Sequence, residues 1–128
     1  MGFRLGSESR DYKNSDNTSI NNSGSINRKD AGRGALAQAN MDGSMDIDPS
    51  VDLNSPMGRR IIKHEQKHLE QIESGRAAYG DNWVMWEGKV YVRKEENGVP
   101  VIEGPNGRWP EGDPNHPWEA EAIQAEYK

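Results

Sequence analysis

The chain has 128 residues, a formal net charge of −5, a mean hydropathy of −1.04 and no cysteine. This length allows one domain at most. The net negative charge argues against electrostatic binding to nucleic acid. The lack of cysteine excludes disulfides and thiolate metal sites. No apolar run approaches the roughly 18 residues that span a bilayer, and the first residues turn polar at once, unlike a signal peptide. We expect no nucleic-acid and no membrane partner, and a cytoplasmic or particle-associated location.

The first third of the chain differs in composition from the rest. Residues 1–43 are rich in Ser, Asn, Gly and Asp, and residues 14–24 contain almost nothing apolar to bury. Such a segment cannot offset the cost of ordering its backbone, about 1–2 kcal/mol per residue, through its own contacts. We therefore expect residues 1–43 to form an extended or disordered low-complexity arm, which neighbouring subunits of an assembly could order. Residues 44–128 are expected to form a compact domain.

The predicted domain opens with a short strand and a helix. Met45 to Val51 alternates enough for one strand, which Pro49 ends. Ser55 is a helix N-cap residue and Pro56 suits the first helical position, while Gly75 is a typical C-cap. The buried stripe of this helix consists of apolar residues at helical spacing, namely Ile61, Ile62, Leu69 and Ile72.

A meander of short strands is predicted to follow. Residues 83–86, a Glu87-Gly88 turn and residues 89–93 have the spacing of a two-residue hairpin. The Asn97-Gly98 turn leads to a third strand over residues 99–103, where Pro100 favours an edge position. We expect a loop over residues 104–117.

The chain is predicted to end in a second helix, from Pro117 to about Tyr127. The expected fold is therefore α+β, with the two helices packed on a small antiparallel meander. A domain of about 85 residues buries a modest core and often needs an additional stabilising cross-link, which a bound metal ion could provide.

The pattern His64-Glu65-x-x-His68 lies in the first helix and indicates a zinc site. Residues four apart lie above one another on a helix, so the two imidazoles can converge on one ion. Zinc binds neutral imidazole and lowers the pKa of its bound water to about 7. Glu65 can lean towards that water and accept its proton as a general base. The alternative is a solvated helix face on which the two histidines align by chance.

A third metal ligand must come from elsewhere in the chain. Glu119 and Glu121 on the second helix are about 200° apart, so only one of them can face inward. Glu119 suits that position better, because it lies one turn from Ala122. His116 is the rival ligand, although its proline-rich loop is a poorer platform, and Glu121 remains the other alternative.

These motifs resemble the gluzincins, zinc metallopeptidases that combine HExxH with a glutamate from a second helix. In several gluzincin branches that glutamate opens a Glu-x-x-Ala-Asp/Asn pattern, which Glu119 and Ala122 match and Ile123 does not. The shortness of the domain resembles the minigluzincins. The resemblance implies a sheet edge strand that binds an extended peptide. It also implies an oxyanion-stabilising side chain, for which the candidates by residue type are Tyr79, Tyr91 and Tyr127.

The functional prediction is a zinc-dependent metalloendopeptidase that hydrolyses peptide bonds of a peptide or protein substrate. In this prediction His64, His68 and Glu119 hold Zn²⁺ and Glu65 is the catalytic base. It could be carried within a larger particle, such as a phage virion or an injection machine. The alternative is a structural or accessory subunit of a virion-like assembly, docked through residues 1–43, in which the zinc site is structural or a relic.

Overall fold

The structure is a computed structural model, and it describes residues 17–19, 25–32, 35–105 and 107–128. The first sheet contains four short strands, β1 (Asn17–Ser19), β2 (Ser25–Arg28), β3 (Ala37–Ala39) and β4 (Met45–Ile47). Helix α1 follows (Pro56–Glu73). The second sheet is a five-stranded antiparallel meander of β5 (Ala77–Tyr79), β6 (Trp83–Trp86), β7 (Lys89–Glu96), β8 (Val99–Gly104) and β9 (Gly107–Pro110). Helix α2 (Pro117–Ala125) comes last. The predicted α+β class and the helices packed on an antiparallel meander are confirmed.

Helix α1 begins and ends where its sequence signals lie. The Ser55 hydroxyl accepts a hydrogen bond from the Gly58 amide, and Pro56 is the first helical residue. At the other end Gly75 has a φ of 82°, the left-handed conformation that favours glycine after a helix. Of the described helices, none is both long and apolar enough to cross a membrane.

The first sheet lies partly inside the segment that was expected to be an arm. Its strand order is β1-β2-β4-β3, with β2 parallel and β3 antiparallel to β4. Ile26, Ala37 and Met45 are fully buried against Ile61 of α1. The expected boundary at residues 43 and 44 therefore cuts through this sheet. Local composition did not reveal β2 and β3, because pairing with a distant strand stabilises them. The rest of residues 1–24, apart from β1, lies outside the described residues.

The meander has the two predicted hairpins and two more strands than expected, β5 before them and β9 after them. Glu87 and Gly88, like Asn97 and Gly98, have positive φ at both turn positions, as two-residue hairpin turns require. Residues 107–110, expected to be part of a loop, form β9 and pair with β8. The expectation that β8 is an edge strand is thus wrong. Pro100 lies where this pairing ends: its carbonyl accepts a hydrogen bond from the Glu111 amide, one residue beyond β9, and its own nitrogen has no hydrogen to donate.

Two apolar cores lie against α1. Ile61 belongs to the core of the first sheet, whereas Ile72, near the end of the helix, packs against the core of the meander. The meander core is centred on the fully buried Trp118 of α2, whose ring contacts the rings of Trp86 and Tyr91. Trp118 therefore fixes α2 on the meander.

Replacing Trp118 should loosen α2. We expect Trp118→Ala to lower the free energy of unfolding by about 3–5 kcal/mol, because it leaves a large cavity in the meander core. Trp118→Phe, which keeps an aromatic ring, should cost less. Urea unfolding followed by far-UV circular dichroism measures both, and an alanine variant as stable as the wild type contradicts this role.

Candidate metal centre

Helices α1 and α2 bring three potential metal ligands together in the protein interior. The Nε2 atoms of His64 and His68 lie 3.0 Å and 3.3 Å from Oε1 of Glu119. One donor atom of each of these residues lies within 4.8 Å of the others, and all three side chains are buried. This group could hold a metal ion. Glu119 rather than Glu121 thus faces the interior, as helix geometry predicted, while its role as a metal ligand stays a prediction.

The two alternative ligands lie outside this group. The carboxylate of Glu121 accepts hydrogen bonds from Gln71 and Arg76. His116 is buried, its ring stacks on Trp118 at 4.7 Å, and its Nε2 donates to the Trp109 carbonyl. The hydrogen bond to Trp109 would raise the pKa of His116, but burial lowers it by more. The net lowering of the pKa favours the neutral ring. His116 is thus part of the packing that holds the start of α2.

The donor set and its spacing fit a tetrahedral metal ion. Two ligand atoms bonded to such an ion at about 2.0–2.2 Å are roughly 3.3–3.5 Å apart, close to the two N–O distances seen here. Two imidazoles and one carboxylate are also a common set of protein ligands at catalytic zinc. The second oxygen of Glu119 is buried and has no hydrogen-bond partner, so it is free to approach an ion.

The charges of these side chains stabilise one another in the absence of metal. Burial alone would raise the pKa of Glu119, but the charge of His68 and hydrogen bonds from both histidines lower it to about 2. Burial alone would lower the pKa of His64, but Glu119, Glu65 and Glu126 raise it to about 9. The pKa of His68 is raised in the same way by Glu119. The cluster is thus a buried group of charged histidines around the Glu119 carboxylate. A divalent cation can bind here by displacing the protons from the two histidine Nε2 atoms.

Each histidine ring is oriented by a hydrogen bond to its other nitrogen. Nδ1 of His64 lies 2.7 Å from Oε2 of Glu126, and Nδ1 of His68 lies 2.9 Å from Oε1 of Gln71. Both oxygens accept, so both Nδ1 atoms carry a proton and both Nε2 atoms face Glu119. Glu126 and Gln71 therefore orient the two imidazoles of the site.

Glu126 and Gln71 were not predicted as site residues, although their spacing from the potential ligands places them near the same helix faces. Gln71 follows His68 by three residues, and Glu126 follows Glu119 by seven, so each lies near the same helix face as a ligand. Glu126 lies just beyond the helical residues, at the C-cap of α2. Only the docking of α2 on α1 shows that it reaches His64.

Glu65 lies beside the ligands in the protein interior. Its side chain is fully buried, and neither carboxylate oxygen makes a hydrogen bond of normal geometry. Burial raises the pKa of Glu65 to about 7, although the positive charges of His68 and His64 and the nearby Ala39 amide oppose this shift. A carboxyl group with a pKa near neutrality is suited to both accepting and releasing a proton.

Strand β3 runs along this side of the site. It is the last strand in the order of its sheet. Asn40 donates to the Ser44 carbonyl and Leu36 accepts from the Asp48 amide, at the two ends of β4, so the backbone groups of Ala39 point away from β4. The Ala39 carbonyl accepts a hydrogen bond of 2.6 Å from the Tyr79 hydroxyl. Of the three tyrosines suggested by residue type, Tyr79 is linked to the site through Ala39, Tyr91 packs in the meander core and Tyr127 is exposed.

The chain matches no family model, no curated protein and no solved structure. The gluzincin resemblance therefore remains a prediction from two short motifs. The function is inferred from the geometry of the site instead.

The Glu126 contact can be tested by metal affinity. We expect Glu126→Ala to weaken zinc binding by about 10- to 100-fold, because His64 loses the partner that orients it. Glu126→Gln, whose amide oxygen still accepts from Nδ1, should lose less. Competition with a chromophoric chelator measures both. Glu73→Ala, on the exposed end of α1, is the control, and equal affinity of Glu126→Ala and this control would exclude the contact as a determinant.

Proposed function

We propose that this protein is a zinc-dependent metallopeptidase. The observation that carries the proposal is the buried group of two imidazole nitrogens and one carboxylate oxygen, with the unpaired carboxylate of Glu65 beside it. A catalytic zinc site typically has three protein ligands and an open position, and the described residues offer three. Two histidines and a glutamate also favour zinc over magnesium or calcium, which prefer sites made of oxygen atoms.

The proposed reaction is the hydrolysis of a peptide bond by water. Zinc bound at this site supplies Lewis-acid chemistry, since it polarises a carbonyl and acidifies water. Glu65 takes a proton from the attacking water on a carboxylate oxygen and delivers it to the leaving amine nitrogen as the C–N bond breaks.

A second candidate function is a structural metal site. The burial of the cluster favours it, because Glu65 and His68 have no exposed surface in this structure. In this case the metal would join α1 to α2 and stabilise a small polar domain. The particle hypothesis, in which residues 1–43 dock the protein to a virion-like assembly, stays a prediction.

Glu65→Gln separates the two candidates. We expect this variant to bind one zinc ion and keep its fold, but to lose peptide hydrolysis by about 10²- to 10⁴-fold, because the amide cannot accept the proton. A fluorogenic peptide library measures cleavage, and elemental analysis measures the zinc content.

The ligand variants provide the matched test of the metal. His64→Ala should lose both the zinc and the cleavage, and a chelator should abolish the activity of the wild type. If the zinc-loaded wild type cleaves no peptide and X-ray absorption shows four protein ligands around the metal, the peptidase proposal is refuted and the structural role is favoured.

A further inference from the structure

Gln71 contacts both halves of the metal centre at once. Its Oε1 lies 2.9 Å from Nδ1 of His68, a ligand on its own helix. Its Nε2 donates to the Trp118 carbonyl at 3.2 Å, and Trp118 directly precedes the ligand Glu119 on α2. Gln71 is fully buried. One side chain therefore joins the position of one ligand to the backbone of another.

The amide of Gln71 can have only one orientation. Both groups near its Nε2, the Trp118 carbonyl and the Glu121 carboxylate, are acceptors. The NH₂ group must face them, so the oxygen must face His68. An acceptor at Nδ1 requires a proton on that nitrogen, which leaves Nε2 of His68 to bind metal.

A surface ion pair holds this orientation in place. Glu121 receives hydrogen bonds from Nη1 and Nη2 of Arg76, and these hydrogen bonds lower the pKa of Glu121. Arg76 is in turn fixed by Glu87 and by the face of the Trp86 ring, 4.7 Å from its guanidinium carbon. A continuous chain of contacts thus runs from the meander through Arg76, Glu121 and Gln71 to His68.

We infer that Gln71 is a positioning residue of the metal centre, which sets the protonated nitrogen of His68 and the location of Glu119 together. Glu121 and Arg76 act through Gln71 by fixing its amide. The inference rests on the metal-binding part of the proposed function and does not require peptide hydrolysis.

The first test is nuclear magnetic resonance of the full chain with ¹⁵N-labelled histidine. In the wild type, His68 should show a slowly exchanging Nδ1–H correlation in both the metal-free and the zinc-loaded protein. Gln71→Met, which keeps the length of the side chain but removes all three hydrogen bonds, should abolish this signal. The Nδ1–H correlation of His64, which Glu126 holds, should remain and is the internal control. A wild-type His68 protonated only on Nε2 overturns the inference.

The second test is zinc affinity, measured by chelator competition. Gln71→Met should bind zinc about 10- to 100-fold more weakly than the wild type, and the visible absorption of its cobalt complex should change. Glu121→Ala, which removes one of the two acceptors of the Gln71 amide and leaves the Trp118 carbonyl, should lose less. Glu70→Gln is the matched control, because Glu70 is exposed and pairs with Lys67.

The outcomes separate this inference from the proposed function. If the wild type binds zinc and Gln71→Met binds it equally well with an unchanged cobalt spectrum, the positioning role is refuted while the metal site stands. If the wild type itself binds no zinc, both fail. Weaker binding by Gln71→Met together with loss of the His68 signal supports the role, whether or not a peptide is cleaved.

Discussion

The structure depends on one buried electrostatic arrangement, the carboxylate of Glu119 between the imidazoles of His64 and His68. Burying a charge costs several kcal/mol unless a partner and hydrogen bonds compensate it. Here the partners of the Glu119 carboxylate on α2 are the two histidines on α1. These charges can stay buried only when the two helices dock within hydrogen-bond distance of each other. The opposite pKa shifts of Glu119 and His64 report this mutual dependence.

Each sheet contributes something different to that arrangement. The meander holds α2 through Trp118, the residue next to Glu119, so the packing of an indole ring determines where a ligand lies. The first sheet supports the other core of α1 and places Ala39 of β3 beside Glu65. Tyr79 of β5 donates to Ala39 of β3, so one hydrogen bond connects the two sheets. The candidate metal centre lies between α1 and α2, beside β3 of the first sheet. Its potential ligands are therefore positioned by helices rather than by loops.

The sequence predicted the parts of this protein that local rules control. The caps of α1, the two hairpin turns and the convergence of His64 with His68 follow from the chemistry of neighbouring residues. Helix geometry also predicted that Glu119 rather than Glu121 faces inward. Strands β2 and β3 could not be predicted, because a segment as polar as Ser25–Arg28 becomes a strand only by pairing with β4. Glu126 and Gln71 could not be assigned for the same reason, since their roles depend on how one helix docks on another.

The isolation of Glu65 bears on which function the site serves. A purely structural metal site has no need of a fourth ionisable group, and leaving a buried acceptor without a partner costs about 1–3 kcal/mol. The histidines and Gln71 are each held by hydrogen bonds, whereas both oxygens of Glu65 have none. A buried carboxylate beside three potential ligands is what the proposed reaction would need for its proton transfers, and on this point the proposed catalysis accounts for more than a structural role does.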